Sequence, residues 1–550
     1  MTYIKGMDRG QMCLPEFIED MVSVENPVRV IDCFVDSLDM QTLGFQKAEP
    51  ARTGRPAYDP KDLLKLYLYG YFNKIRSSRK LMQECTRNVE LFFLLNRLSP
   101  DFRTISDFRK DNADSIRNVF LEFAKLCIGL GLYQRELFAV DGSKFRAVNG
   151  NKRMYNQEIL TKKLERISMK LKEYMDHLDR EDKNEDTSDD DDKEGHTSLS
   201  DKIQVLKDRQ SLYGQYLDEL ASSGEKQKLI TDPEARMMHS HKDGFHCCYN
   251  VQTAVDHSTH LIGDYLVTNH VNDQGILQKF TKQLKQTMEV PVVSVEADKG
   301  YDSKEEIKAC ILDGIIPYVG FKDDKEERLL SLDYEKKDIT DRMRNSADPK
   351  DISACIHAGV LPSCYENTNI SVEVLQSEQL GCFQRSEDQK TVTCPMGFTL
   401  RKRKNKRDGA EYFSHAACRK CTNRCTPSKN PKSVYFGPDT THVAAFMYGN
   451  EKPVHTPPPD FIPHNSFFVK NRIEKTVLIR IRDDISKQKE RLCISEHPFG
   501  TVKWYHGAHY VLCKGIKKTT AELGLSFLAY NLRRAVNLIG TEAILEGIKA

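Results

Sequence analysis

Two aspartates stand at the ends of short apolar runs, and carboxylates so placed can do chemistry. The run LFAV, residues 137–140, leads into Asp141-Gly142, and the β-branched run VPVVSVEA, residues 290–297, leads into Asp298, followed by Lys299-Gly300-Tyr301. Each reads as a buried strand ending on a carboxylate. An Asp after a strand is ordinarily a turn or capping residue. Two from different strands, joined by a helical Glu496, would instead offer the oxygen donors that hard divalent cations prefer. A pair of such cations can clamp the attacking and leaving oxygens of a phosphodiester. A second constellation is Cys418-x-x-Cys421-x-x-x-Cys425 with Cys394-Pro395 upstream. Thiolates at that spacing suit a tetrahedral structural zinc, with Cys394 as fourth ligand and Cys382 or His415 as substitutes. Four thiolates leave such a metal no open position, so the chemistry belongs to the carboxylates; unligated cysteines are the alternative.

Several elements must position these groups. Residues 1–130 read as a helical DNA-binding domain. Pro60 opens KDLLKLYLYGYF, whose Leu63, Leu64, Tyr67, Leu68 and Tyr71 recur at helical spacing; LMQECTRNVELFFLL makes another helix; and Thr104 or Ser106 can cap a third after Pro100. Arg76, Arg79 and Lys80, in the basic stretch NKIRSSRK, suit phosphate contacts that position such a domain on a duplex. A helical bundle with a solvated basic face is the bland counterpart. Residues 131–150, 225–320 and 467–540 read as a catalytic core. FHCCYNVQTAVD and HLIGDYLVTN make a hairpin, a helix runs from about Asp273 to Met288, and the helix SKEEIKACILDG and the strand IIPYVG follow Asp298. Hairpin strands and then helix–strand alternation predict an α/β fold with a mixed sheet flanked by helices. Cys247 and Cys248 fit strand packing, and Trp504 fits helix packing.

The core is interrupted twice. Apolar heptads from Leu160 to Leu178 and from Leu199 to Leu220 flank an acidic linker with nine Asp or Glu between Glu181 and Glu194, which predicts a helical-hairpin insertion over 151–224. Residues 321–466, rich in charge, Pro and Cys, read as a second insertion carrying the zinc module, with the basic loop RKRKNKR, residues 401–407, beside it. Lys plus Arg number 82 against 80 Asp plus Glu, so overall charge does not argue for nucleic acid and local patches must. No signal-like or membrane-length apolar run occurs, and a cytoplasmic location is expected. Sixteen cysteines without an export signal read as reduced thiols.

The segments GRPAYDPKDLLKLYLYGYFNKIRSSRKL, FAVDGSKFRAV, TDPEARMM, GYDSKEEIKACILDGIIPYV, SEHPFGTVK and FLAYNLRRAV, in this order, closely resemble a bacterial insertion-sequence DDE transposase family over nearly the whole chain. The resemblance implies a ribonuclease-H-like catalytic domain behind an all-α N-terminal domain. It assigns Asp141 in VDGSKF, Asp298 in ADKGYDS and Glu496 in SEHPFG as ligands of two Mg²⁺ or Mn²⁺ ions. Lys503, following Glu496 as the family pattern asks, is implied as a contact near the scissile phosphate. Lys489 and Leu492 occupy the places where the family has Tyr and Arg, which leaves Arg491, one residue out of register, as the phosphate contact. The implied reaction is hydrolysis at the element ends followed by attack of the freed 3′-hydroxyl on target DNA. The implied partners are double-stranded terminal repeats, target DNA and a second copy of the chain, at the bacterial nucleoid. A nuclease or resolvase of the same fold that joins nothing, and a catalytically inactive zinc-bearing DNA-binding regulator, are the competing readings.

Overall fold

The computed structural model describes residues 17–49, 56–150, 153–185, 193–225, 227–240, 244–322, 326–376, 380–406, 408–426, 430–447, 453–458 and 475–550. The N-terminal region is helical: Val28–Ser37, Pro60–Phe72, Ser78–Glu84, Val89–Leu95, Phe102–Asp111 and Ala113–Gly129. Local chemistry sets these boundaries. Asp59 caps the helix that Pro60 opens by accepting from Lys61 N, and Asn88 and Asp101 accept from the first amides of the helices they precede. Asn88 therefore breaks the expected LMQECTRNVELFFLL helix in two, and Asp101 takes the capping role assigned to Thr104 or Ser106. The Pro60–Phe72 helix is buried on nearly every face because the long C-terminal helix Ile516–Lys549 packs across it.

Behind this region lies a six-stranded sheet. Its strands are β1 (Leu137–Arg146), β4 (Arg236–Ser240), β5 (Gly244–Asp256), β6 (Ile262–Thr268), β7 (Val293–Ala297) and β8 (Ile315–Val319); β2 (Met154–Tyr155) and β3 (Lys228–Leu229) form a separate ribbon. β1, β7 and β8 run parallel in the order β1-β7-β8, and β5 pairs antiparallel with β1 on its other side. β4 and β6 share the far edge of β5, one on each half of its length. The parallel strands read as continuous apolar runs because both faces are covered: the helices Leu277–Thr287 and Lys304–Leu312 pack together beside the sheet, and Ile485–Gly500 contacts β1, β5, β7 and β8. The fold is thus a mixed α/β arrangement with a helical N-terminal region.

The helices Gln157–Glu185 and Lys193–Ser223 pack against each other around Ile167, Leu171 and Ile203, with Tyr174, Leu206 and Tyr213 at the margin. The linker expected between them falls largely on residues 186–192, outside the described set. The region read as one insertion from 321 to 466 is stitched to the chain after it. β9 (Glu327–Asp333) and β10 (Ile370–Gln376) flank β17 (Lys475–Arg482) in an antiparallel three-stranded sheet. A second sheet follows the order β15-β14-β13-β12-β11-β16, from β11 (Leu380–Arg385), β12 (Thr391–Thr393), β13 (Thr399–Lys406), β14 (Gly409–Phe413), β15 (Val434–Phe436) and β16 (His442–Phe446). The basic segment expected as a loop is strand β13, with Arg401 to Asn405 exposed. Among the described residues no helix is long and apolar enough to cross a membrane.

Candidate active site

β1 does not end at Asp141, as its sequence suggests, but runs on to Arg146, paired with β5 throughout. What stops near Asp141 is the parallel ladder. The β1–β7 register reaches Ala139 opposite Glu296, and two residues further along stand Asp141, still within β1, and Asp298, just past the end of β7. Neighbouring strands lie about 4.8 Å apart, so the carboxylates meet at the carboxyl end of the parallel pair, where open α/β sheets bind ligands.

Each aspartate is held locally. Asp141 Oδ1 accepts from Gly142 N at 2.8 Å, and its Oδ2 accepts from Ser495 Oγ at 3.0 Å and faces Arg491 Nη1 at 3.4 Å. Burial pushes the Asp141 carboxyl above its ordinary range; Arg491 pulls it down and Asp298 pushes it up, so the two aspartates act on each other electrostatically. Asp298 caps the turn Lys299–Tyr301, accepting from Gly300 N at 2.7 Å. Near the Asp298 turn, Asp273 Oδ1 accepts from Asn250 Nδ2 and Gln252 Nε2, both at 2.8 Å. Tyr301 is fully buried and donates to Gln252 Oε1; burial raises its hydroxyl pKa, and Asp273, Asp141 and Asp298 push it the same way.

The other expected site residues fall in different places. Glu496 is exposed and its side chain makes no hydrogen bond or ion pair among the described residues; Ser495, one residue earlier, is buried and donates to Asp141 from the same helix as Arg491. Lys503 donates to Ser143 Oγ and to the Lys144 carbonyl, both at 2.6 Å, and so ties the turn after the helix to β1. Arg491, expected on a phosphate, is 7 % exposed and directed at Asp141. Arg76 also needs correction as a phosphate contact: it is buried, ion-paired with Glu522 at 2.7 Å, and donates to the carbonyls of Gly507 and Tyr510. Arg79 and Lys80 are exposed, Arg79 over the Phe102 ring. Trp504, expected in helix packing, is 65 % exposed and stacks on His509. Sequence reasoning missed Asp273 and its two carboxamides, having placed Asp273 at the start of a helix that begins only at Leu277.

Cys394, Cys418, Cys421 and Cys425 line one cavity of about 20 Å³ with Asn423 and Lys432. Phe398 N donates to Cys394 Sγ at 3.3 Å. Burial pushes the Cys425 thiol up to about 11, partly opposed by Lys432, and the other three cysteines push it the same way as burial. Cys382 lies apart, buried and directed at the Phe383 carbonyl, while the His415 ring packs against Phe413. Among the described residues no three His, Cys, Asp or Glu converge tightly enough to hold a metal ion as they stand. The donor types nonetheless suit two different metals, hard oxygens at the sheet and soft thiols in the cavity.

A family model for a transposase domain (DUF772) matches residues 16–111, and one for a transposase DDE domain matches residues 221–381. The chain carries the domains of an insertion-sequence DDE transposase. The DDE-domain match contains Asp273 and Asp298, begins after Asp141 and ends before Glu496. No curated protein and no solved structure matches the chain. Transposases of this kind act on DNA and use divalent cations, which agrees with the oxygen-rich end of the β1–β7 pair.

Proposed function

We propose that this transposase has a ribonuclease-H-like core that hydrolyses phosphodiesters at the ends of an insertion sequence and transfers the freed strands into target DNA. The observation that carries this is the meeting of Asp141 and Asp298 at the carboxyl end of adjoining parallel strands, in a sheet whose one antiparallel neighbour to β1 comes from the following hairpin. Asp141 and Asp298, with Glu496 brought in from its exposed position, would hold two Mg²⁺ or Mn²⁺ ions. Bound there, these ions supply Lewis-acid stabilisation and lower the pKa of the attacking water or hydroxyl. Arg491, already drawn to Asp141 Oδ2, marks that oxygen as cation-seeking and supports the fit.

The chain's own side chains orient and hold. Ser495 fixes the Asp141 rotamer, and Gly142 N and Gly300 N keep both carboxylates aimed. Lys503 steadies β1 beside Asp141 and is the cation placed to meet a phosphate there. Arg79, Lys80 and the exposed basic face of β13 contact duplex phosphates, and a homodimer on DNA brings two element ends together. A structural zinc held by Cys394, Cys418, Cys421 and Cys425 secures the sheet that carries β13. Metal analysis of the purified chain tests this: Cys421→Ser loses the zinc that wild type retains, and a metal-free wild type would remove the assignment.

The test of the reaction is Mg²⁺-dependent cleavage and joining of labelled DNA bearing the element's own ends, with Asp298→Asn and Glu496→Gln alongside wild type. Joined products lost in both variants with end binding intact support strand transfer. Cleavage without joining by wild type supports the nuclease reading. The exposure of Glu496 favours the inactive-regulator reading, which predicts end binding and no cleaved product from any of the three proteins.

A further inference from the structure

We infer that the turn from Trp504 to Tyr510 is a stacking platform for unpaired DNA bases, built against the strand that carries Asp141. The inference goes beyond the cleavage chemistry but rests on the reading of the chain as one that acts on DNA at Asp141 and Asp298.

Large aromatic rings are ordinarily turned inward. Here Trp504, Tyr505 and Tyr510 are 65 %, 55 % and 43 % exposed. The Trp504 indole stacks on His509 with centroids 5.7 Å apart and planes 17° from parallel, and His509 meets Tyr510 edge-on at 4.9 Å. Trp504, His509 and Tyr510 therefore form one continuous run of rings at the surface, of the kind that marks a binding site.

The exposure is not that of a loose loop. Thr501–Tyr505 is a π-helical turn, closed by His506 N donating to the Thr501 carbonyl at 2.9 Å, and such turns cluster at functional sites. Val502, His506 and Ala508 are buried while the rings face out. Arg146 N donates to the His509 carbonyl and Val511 N to the Arg146 carbonyl, at 3.1 and 2.8 Å, and Arg76 donates to the carbonyls of Gly507 and Tyr510. The backbone that presents the rings is thus fixed to β1 on one side and to the N-terminal region on the other, and it meets β1 within about 17 Å of Asp141 along the strand.

The surroundings are cationic. Between Glu496 and Glu522 the sequence has no Asp or Glu, whereas Lys503, Lys514, Lys517 and Lys518 all fall there. Lys74, from the same basic stretch as Arg79 and Lys80, places its ammonium 3.2 Å from the centre of the Tyr505 ring, and the Arg76 guanidinium lies 5.0 Å from that of Tyr510. Positive charge that holds phosphates, combined with open aromatic faces, is the composition of single-strand binding surfaces. Paired bases already stack on one another, so these faces select bases that have come unpaired, as at an end that is being cut and joined.

Trp504 is the only tryptophan of the chain, so its fluorescence reports on this surface alone. The full-length protein, without Mg²⁺, is titrated with an oligothymidylate of about ten nucleotides and with a long duplex of mixed sequence, nearly all of whose bases are paired. Trp504→Ala and Tyr510→Ala are compared with wild type by mobility shift on both DNAs, with melting temperatures alongside. The expected result is saturable quenching of Trp504 by the single strand and little by the duplex. Single-strand affinity falls at least about fivefold in each variant, with duplex affinity and melting temperature unchanged. No quenching, equal quenching by duplex, or wild-type single-strand affinity in both variants would overturn the inference. So would Trp504 emission that follows protein concentration and ignores DNA, which assigns the patch to a second copy of the chain. Quenching by a protein that cuts no element end in Mg²⁺ would keep the platform and remove the strand-transfer reading; cutting without quenching would do the reverse.

Discussion

Two buried arginine–carboxylate systems differ in how completely they are satisfied. In the first, Arg76 meets Glu522, donates to two carbonyls of the 507–510 loop, and Glu522 also accepts from the amides of Leu512 and Cys513. In the second, Arg491 approaches Asp141 at 3.4 Å, its Nη1 makes no hydrogen bond, and Asp141 retains 21 % of its side-chain exposure. The first, in which only Arg76 Nε lacks a partner, ties the N-terminal helices to the C-terminal helix. The second is partly open, and Asp298 acts on Asp141 there. A closed network resists change, whereas an open one beside like charges has room for a cation.

Breaking the closed system is the largest stability effect expected. Arg76→Ala strands a fully buried carboxylate and should cost about 3–5 kcal/mol, read by urea denaturation; Arg491→Ala, beside a partly accessible carboxylate, should cost clearly less, and equal losses would erase the contrast. Arg79→Ala and Lys80→Ala should leave the melting temperature unchanged and weaken DNA binding uniformly across sequences. Each should reduce the slope of log affinity against log salt by about 1, and an unchanged slope would remove them from the DNA surface. The smallest effect concerns His506, next to the clamped loop. Burial, with Arg533 and Lys74, pushes its imidazole down to about 4, and neither ring nitrogen finds a hydrogen bond among the described residues. The unfolded chain then takes up the proton first. Stability is fully present above about pH 6.5 and is lost as pH falls towards 4. His506→Phe should flatten that slope in melting curves taken across the window.

The same contrast separates what was legible in the sequence from what was not. Local patterns announce themselves. The apolar runs before Asp141 and Asp298, the 245–268 hairpin and the packed pair of long helices all follow from periodicity and caps. Groups that matter through long-range placement did not. Arg76 reads as one more basic turn residue, and only its meeting with Glu522, far along the chain, makes it a core residue. Asp273 lies in a polar stretch whose one signal, an Asp shortly before a helix, is that of an ordinary cap. β17 was unread as a strand because its partners β9 and β10 lie within the segment taken for a separate insertion. Glu496 is the reverse case. Its motif is plain in the sequence, yet the helix presents Ser495 to Asp141 and leaves Glu496 exposed.

The most direct test of the paired-aspartate centre is the rate of Mg²⁺-dependent strand cleavage at the element ends by Asp141→Asn, with its melting temperature and end binding measured in parallel. The expected result is a fall of at least about 1000-fold in cleavage, with end binding retained and stability little changed, as for removal of a group that acts in the transition state. Cleavage within a few-fold of wild type would contradict the account and place the chemistry elsewhere in the chain.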